Sequence, residues 1–135
     1  MIKVRILSVG KTKEAWLKEA LAEYDKRLTG RIEIETILFK DESRLYEESG
    51  AIFLDPEGPL LTSEAFAQKF EGWSQTMRPV TFVIGGAEGF DRAFLKGKET
   101  ISLSKMTFTH QLTRLILAEQ IYRAHCILSK IPYHK

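Results

Sequence analysis

Val80-Thr81-Phe82-Val83-Ile84-Gly85-Gly86-Ala87-Glu88-Gly89 is the stretch that decides the fold. Five β-prone residues run unbroken into a glycine turn, the pattern of a strand buried on both faces in mid-sheet. Outward from it, strand and helix signals alternate. Ile2 to Val9 alternates and ends at Gly10. Lys13 to Leu28 places Trp16, Leu17, Ala20, Leu21, Tyr24 and Leu28 on one helical face, with Gly30 as its stop. Ile32 to Phe39 alternates again. Asp41 to Ser49 is charged and has room for a turn or two of helix, and Ala51 to Leu54 predicts a minimal buried strand. After the Pro- and Gly-rich loop from Asp55 to Pro59, Thr62 or Ser63 caps a helix carrying Ala65, Phe66, Phe70 and Trp73. A short helix over Asp91 to Lys98, a fifth strand over Thr100 to Leu103 and a long helix over Gln111 to Ser129 complete the order. This alternation predicts an α/β fold, a mostly parallel sheet with helices on both faces.

The chain has 135 residues, 44% hydrophobic and 28% charged, which fits one globular domain over 1–135 and excludes a disordered chain. No apolar run approaches the ~20 residues of a membrane span, and the alternating N-terminus does not read as a cleavable signal. The lone Cys126 cannot pair within the chain; it sits on an apolar helix and reads as core, in a reducing cytoplasm. Charge is uneven. Residues 1–90 hold 12 Lys/Arg against 15 Asp/Glu, and residues 91–135 hold 8 against 3. A cationic C-terminal third suits a phosphate-rich partner, although solvated lysines would produce the same count.

Gly85-Gly86-x-x-Gly89 lies where a strand ends, the place where open α/β sheets bind ligands. It is neither the dinucleotide fingerprint nor a P-loop, which needs a Gly-Lys-Ser/Thr that is missing. A glycine turn without a ligand fits the same residues. Leu54-Asp55 with Gly58, and Ser104-Lys105-Met106-Thr107-Phe108-Thr109, end two more strands. The three loops could converge on one pocket, with Leu54, Met106 and Phe108 as apolar walls for an adenine-type ring. On the long helix, His110, Arg114, Glu119 and Arg123 stand out as polar, and Glu119 and Arg123 are spaced for an i,i+4 ion pair. Tyr133 and His134 lie in a tail that would ordinarily fray. Three histidines and one cysteine without ligand spacing give no metal site. The same helix is apolar around most of its circumference, so it needs cover on two sides, and a homodimer through it supplies the second.

Phe82 to Gly89, Ser102 to Thr107, His110-Gln111-Leu112-x-Arg114, Glu119-Gln120-Ile121-Tyr122-Arg123-Ala124 and Pro132-Tyr133-His134-Lys135 form an ordered set. Together they resemble the ribosomal RNA large subunit methyltransferase H family of SPOUT methyltransferases. Val9-Gly10-Lys11, Leu54-Asp55-x-x-Gly58 and Ser63-Glu64-x-Phe66-Ala67 extend the resemblance over nearly the whole chain. It implies an α/β knot with a C-terminal trefoil and S-adenosylmethionine as methyl donor. Donor contacts would fall at Leu54, Gly86, Ser104, Lys105, Met106, Thr107, Phe108 and Thr109. The implied acceptor is N3 of a pseudouridine in large-subunit rRNA on the assembled ribosome, and the implied assembly is a dimer whose second tail completes each site. Within that scheme Arg123, held by Glu119, would favour the deprotonated base; Tyr133, His134 and His110 would contact base or phosphate or relay the proton. One departure stands out: between Asp41 and Ala51 the chain is shorter than the family pattern, which carries a longer helix there. Two rivals come from other classes, a non-catalytic RNA- or ribosome-binding module and a nucleotide hydrolase using the glycine turn.

Overall fold

The structure, a computed structural model, describes residues 1–135. Five strands, β1 (Ile2–Val9), β2 (Ile32–Phe39), β3 (Ile52–Leu54), β4 (Val80–Ile84) and β5 (Glu99–Ile101), form one sheet in the order β2-β1-β4-β3-β5. Every neighbouring pair is parallel. The helices are α1 (Ala15–Arg27), α2 (Ser63–Thr76), the single turn α3 (Arg92–Leu95) and α4 (His110–Leu128), with a 3-10 turn over Glu42–Glu47.

Strand order dictates where the helices go. The steps β1 to β2 and β3 to β4 cross the sheet in one direction; β2 to β3 and β4 to β5 cross in the other. Crossovers between parallel strands are right-handed, so opposite steps must lie on opposite faces. Accordingly α1, α2 and α4 cover the first face over a core of Val4, Ile6, Phe66, Phe82, Leu117 and Ile121 among others. The 3-10 turn and α3 cover the second through Leu7, Leu45, Phe53, Val83, Phe90 and Leu95. The alternation of β4 shows in this split: Val80, Phe82 and Ile84 face the first core and Val83 the second. On the first face Trp73 packs edge-on against Phe66 and Phe82 and donates its indole N–H to Glu99 (3.2 Å).

The expected elements are found, with small shifts. Thr62 caps α2 by accepting from the Ala65 N–H, and Thr109 caps α4 by accepting from the Leu112 N–H. Gly30 sits at φ +80° just past α1, a conformation open to glycine. Trp16 differs from the one-face reading: it is 50% exposed, because Leu17 beside it takes the buried position. Between Asp41 and Ala51 the short chain makes only the 3-10 turn, capped by Asp41 on the Ser43 N–H.

Candidate functional site

The connection from β4 leaves toward the second face, while those from its neighbours β1 and β3 leave toward the first. Such a divergence opens a crevice at the carboxyl ends of strands. A cavity of about 600 Å³ lies there, walled by the loop after β3 (Leu54 to Glu57), the turn after β4 (Gly85 to Phe90) and the segment entering α4. That volume is in the range of small-molecule sites.

The glycines make the β4 wall thin. A Cβ on Gly85 would press on the Phe90 ring (3.1 Å), and one on Gly86 would collide with the Glu42 side chain. Gly89, at φ +70°, closes the turn by donating its N–H to the Gly86 carbonyl (3.0 Å). On the third wall the Ser102 hydroxyl donates to the Ser104 carbonyl (2.8 Å), and the Ser104 hydroxyl accepts from the Met106 N–H (3.0 Å). These local bonds hold the segment in shape without a helix or strand.

Of the donor contacts that the resemblance implies, Leu54, Gly86, Ser104, Met106, Thr107, Phe108 and Thr109 line the cavity; Lys105 is exposed and does not line it. Met106 is 73% exposed at the rim. The charged lining is acidic: Asp55, Glu57 and Glu88 against Arg92, plus His110. Burial and the nearby Arg114 push His110 below its ordinary 6.5, so it adds no positive charge at neutral pH. A polyphosphate would be repelled there, and an organic cation attracted. No group of three His, Cys, Asp or Glu side chains is placed to share a metal ion.

The polar residues of α4 fall into two groups. His110 reaches the cavity and touches Gly10, where a Cβ would lie 3.1 Å from its ring. Arg114, 1% exposed, donates to the Thr12 hydroxyl (2.7 Å). Glu119 and Arg123 lie nine and thirteen residues beyond His110, about 14 and 20 Å along the helix at 1.5 Å per residue. There Arg123 donates to both Glu119 oxygens (2.9 and 3.4 Å) and to His134 Nδ1 (3.0 Å), and its guanidinium stacks over the Tyr133 ring (4.8 Å). Tyr133 donates its hydroxyl to Glu119 (2.9 Å), and Gln120 donates to the same carboxylate (2.9 Å). Since Arg123 can only donate, His134 Nδ1 accepts and its hydrogen sits on Nε2, which faces Glu64 (3.2 Å). The tail is therefore held and does not fray. Burial, then the bond to Glu119, push the Tyr133 phenol up to about 12, so it is a donor at neutral pH. The Glu119 hydrogen bond likewise raises Arg123 and keeps it cationic.

Sequence reasoning assigned nothing to Arg92, which grips Asp55, or to Glu64 as the partner of His134. A carboxylate at a buried strand tip such as Asp55 needs a counter-charge, and that was the available signal.

The chain matches, over residues 2–134, the family model described as "Predicted SPOUT methyltransferase". The chain belongs to the SPOUT methyltransferase family. Proteins named "Ribosomal RNA large subunit methyltransferase H" are similar to it along their whole length. The one from Protochlamydia amoebophila is 55% identical, with all of both chains covered. Those from Francisella philomiragia and Acetivibrio thermocellus are 36% and 38% identical, covering 99% of this chain and 100% of theirs. These last two alignments run over 155 and 159 positions against 135 residues here, so both relatives carry residues that this SPOUT chain lacks.

Proposed function

We propose that the chain is a single-domain SPOUT methyltransferase that uses S-adenosylmethionine to methylate N3 of a pseudouridine in large-subunit rRNA on the cytoplasmic ribosome. The observation that carries this reading is the cleft at the strand tips, thinned by glycines and acidic in its lining. When bound, the donor supplies a methyl group on a sulfonium and needs no metal to activate it. A thin, acidic wall fits such a cation, whereas a nucleotide hydrolase would need cations for phosphate. Leu54, Gly86 and the run Ser104, Lys105, Met106, Thr107, Phe108 and Thr109 are the donor contacts in this proposal, with main-chain groups exposed where side chains are missing.

Arg123, Glu119, Tyr133 and His134 are the acceptor group. Arg123 stays charged and would favour the anionic form of the base. Tyr133 donates at neutral pH and is not the base. His110 is the acceptor-side residue already at the cleft. Within one protomer the Arg123 group lies a helix length away from that cleft, so the proposal includes a homodimer through α4, with a second copy's tail brought to it. Exposed apolar residues support this at both ends of the helix: Met106 and Leu112 near the cleft, Leu128 and Ile131 near the tail. A self-complementary two-fold contact would set one end against the other. The C-terminal trefoil of the SPOUT fold belongs to the same proposal.

Calorimetric titration with S-adenosylmethionine tests the donor, and tritium transfer to ribosomes from a strain lacking the enzyme tests the acceptor. Saturable binding with transfer is expected. No affinity for the donor, with retained binding to ribosomes, would instead make the chain a non-catalytic RNA-binding module.

A further inference from the structure

The loops after β3 and β4 face each other across the cleft and then diverge. The β3 loop bonds toward β5, Asp55 N–H to Ile101 O (2.9 Å) and Ser102 N–H to Pro59 O (2.8 Å), while the β4 turn bonds within itself. Beyond the strand ends, the side-chain bonds that cross between them all come from Arg92. It donates to both oxygens of Asp55 (2.5 and 2.7 Å) and to Glu57 (2.8 Å), while also reaching the Phe90 carbonyl (3.4 Å) in its own loop. The Asp55 side chain is only 5% exposed and that of Arg92 53%, so the carboxylate sits in the wall and the guanidinium closes over it. A forked guanidinium on a carboxylate fixes both distance and angle, which a single-point contact does not.

We infer that Arg92 is a positioning residue of the cleft: its grip on Asp55 holds the β3 wall at a set distance from the glycine turn. Leu54 is already paired with Ile84 in the sheet, so what the clasp sets is the spacing of the loops beyond that pair, Asp55 to Glu57 against Gly85 to Phe90. The role in donor binding rests on the cleft being the S-adenosylmethionine site; the clasp itself does not. The same grip neutralises a buried carboxylate that would otherwise add to the negative lining beside Glu57 and Glu88.

The test compares wild type with R92A, R92K, D55N and the D55N/R92A pair by titration with S-adenosylmethionine, urea unfolding and amide hydrogen exchange. R92K keeps the charge and should keep the unfolding midpoint, so it serves even where R92A folds poorly. R92A, R92K and D55N are expected to weaken donor binding about tenfold, the worth of a charged hydrogen bond. The pair should be no worse than R92A alone. Amides in both loops, residues 57–60 and 85–90, should exchange about tenfold faster together in R92A and R92K. Wild-type donor affinity in R92K, or exchange unchanged in both loops, overturns the inference and reduces Arg92 to a surface ion pair. If wild type itself binds no donor, the methyltransferase reading falls, and the exchange data still decide the clasp.

Discussion

Arg114 and Arg123 sit nine residues apart on the same helix and are treated in opposite ways. Arg123 is gripped by Glu119, leans on Tyr133 and donates to His134; its partners hold it more firmly protonated than usual. Arg114 is more deeply buried, yet its Nε and Nη2 have no partner in the protein, nor do Glu14 Oε2 and His110 Nδ1 beside it. Burial pushes its ionisation, and that of His110, downward. One end of α4 is thus a closed polar network at partly exposed positions, suited to presenting a fixed charge. The other is an open one inside the protein, where charge is costly and pH is felt. Burial alone would have ranked Arg114 as the better-held residue; counting partners reverses the order.

The largest expected effect tests whether the closed network is the reactive one. Arg123→Ala should lower methyl transfer to ribosomes by about 10³-fold, as expected for a lost charge-stabilising group, and leave donor affinity within about threefold. Near-normal transfer would remove the network from the reaction. Next comes Arg114→Ala, which empties a fully buried side-chain site and strands Thr12, and should cost about 3 kcal/mol in urea unfolding, mostly as lost packing. A loss under about 1 kcal/mol would show that relief of the poorly partnered buried charge offsets the lost packing. The third effect is a pH profile. His110 in the fold sits below its ordinary 6.5, so the unfolded chain binds the proton more tightly. Stability should therefore be fully present above about 6.5 and fall as pH drops toward the folded value. His110→Gln should flatten that limb in thermal melts, and an unchanged slope would assign it to another group. The smallest is Glu64→Gln. It removes one half-exposed contact to His134 and should cost about 0.2–1 kcal/mol, with about a twofold loss of transfer.

What the residues revealed beforehand follows how local the cause was. The β4 run, the Thr62 cap and the glycine turn each depend on neighbours within a few positions and are readable in the sequence, whereas the Thr109 cap, equally local, starts the last helix one residue before the expected Gln111. The alternation of strands and helices predicts a mostly parallel sheet covered on both faces, but which helix covers which face follows from the strand order, which no local pattern encodes. The residues expected to contact a donor came from the resemblance, and all but Lys105 line one cavity. The remaining features depend on contacts far apart in the chain: Arg92 with Asp55, Arg114 with Thr12 and His134 with Glu64. No periodicity encodes such pairs. The four polar residues of α4 were visible as a set, but their division into an open and a closed group was not. That division depends on which loops and tail pack against each end.

The two tryptophans give the molecule a pair of built-in optical probes. Trp73 is 7% exposed in the first core and Trp16 50% exposed at the start of α1. Iodide or acrylamide should quench emission from Trp16 while sparing Trp73, whose red shift would mark the melting of the sheet. Intrinsic fluorescence can then separate events at the surface from collapse of the interior without any added dye.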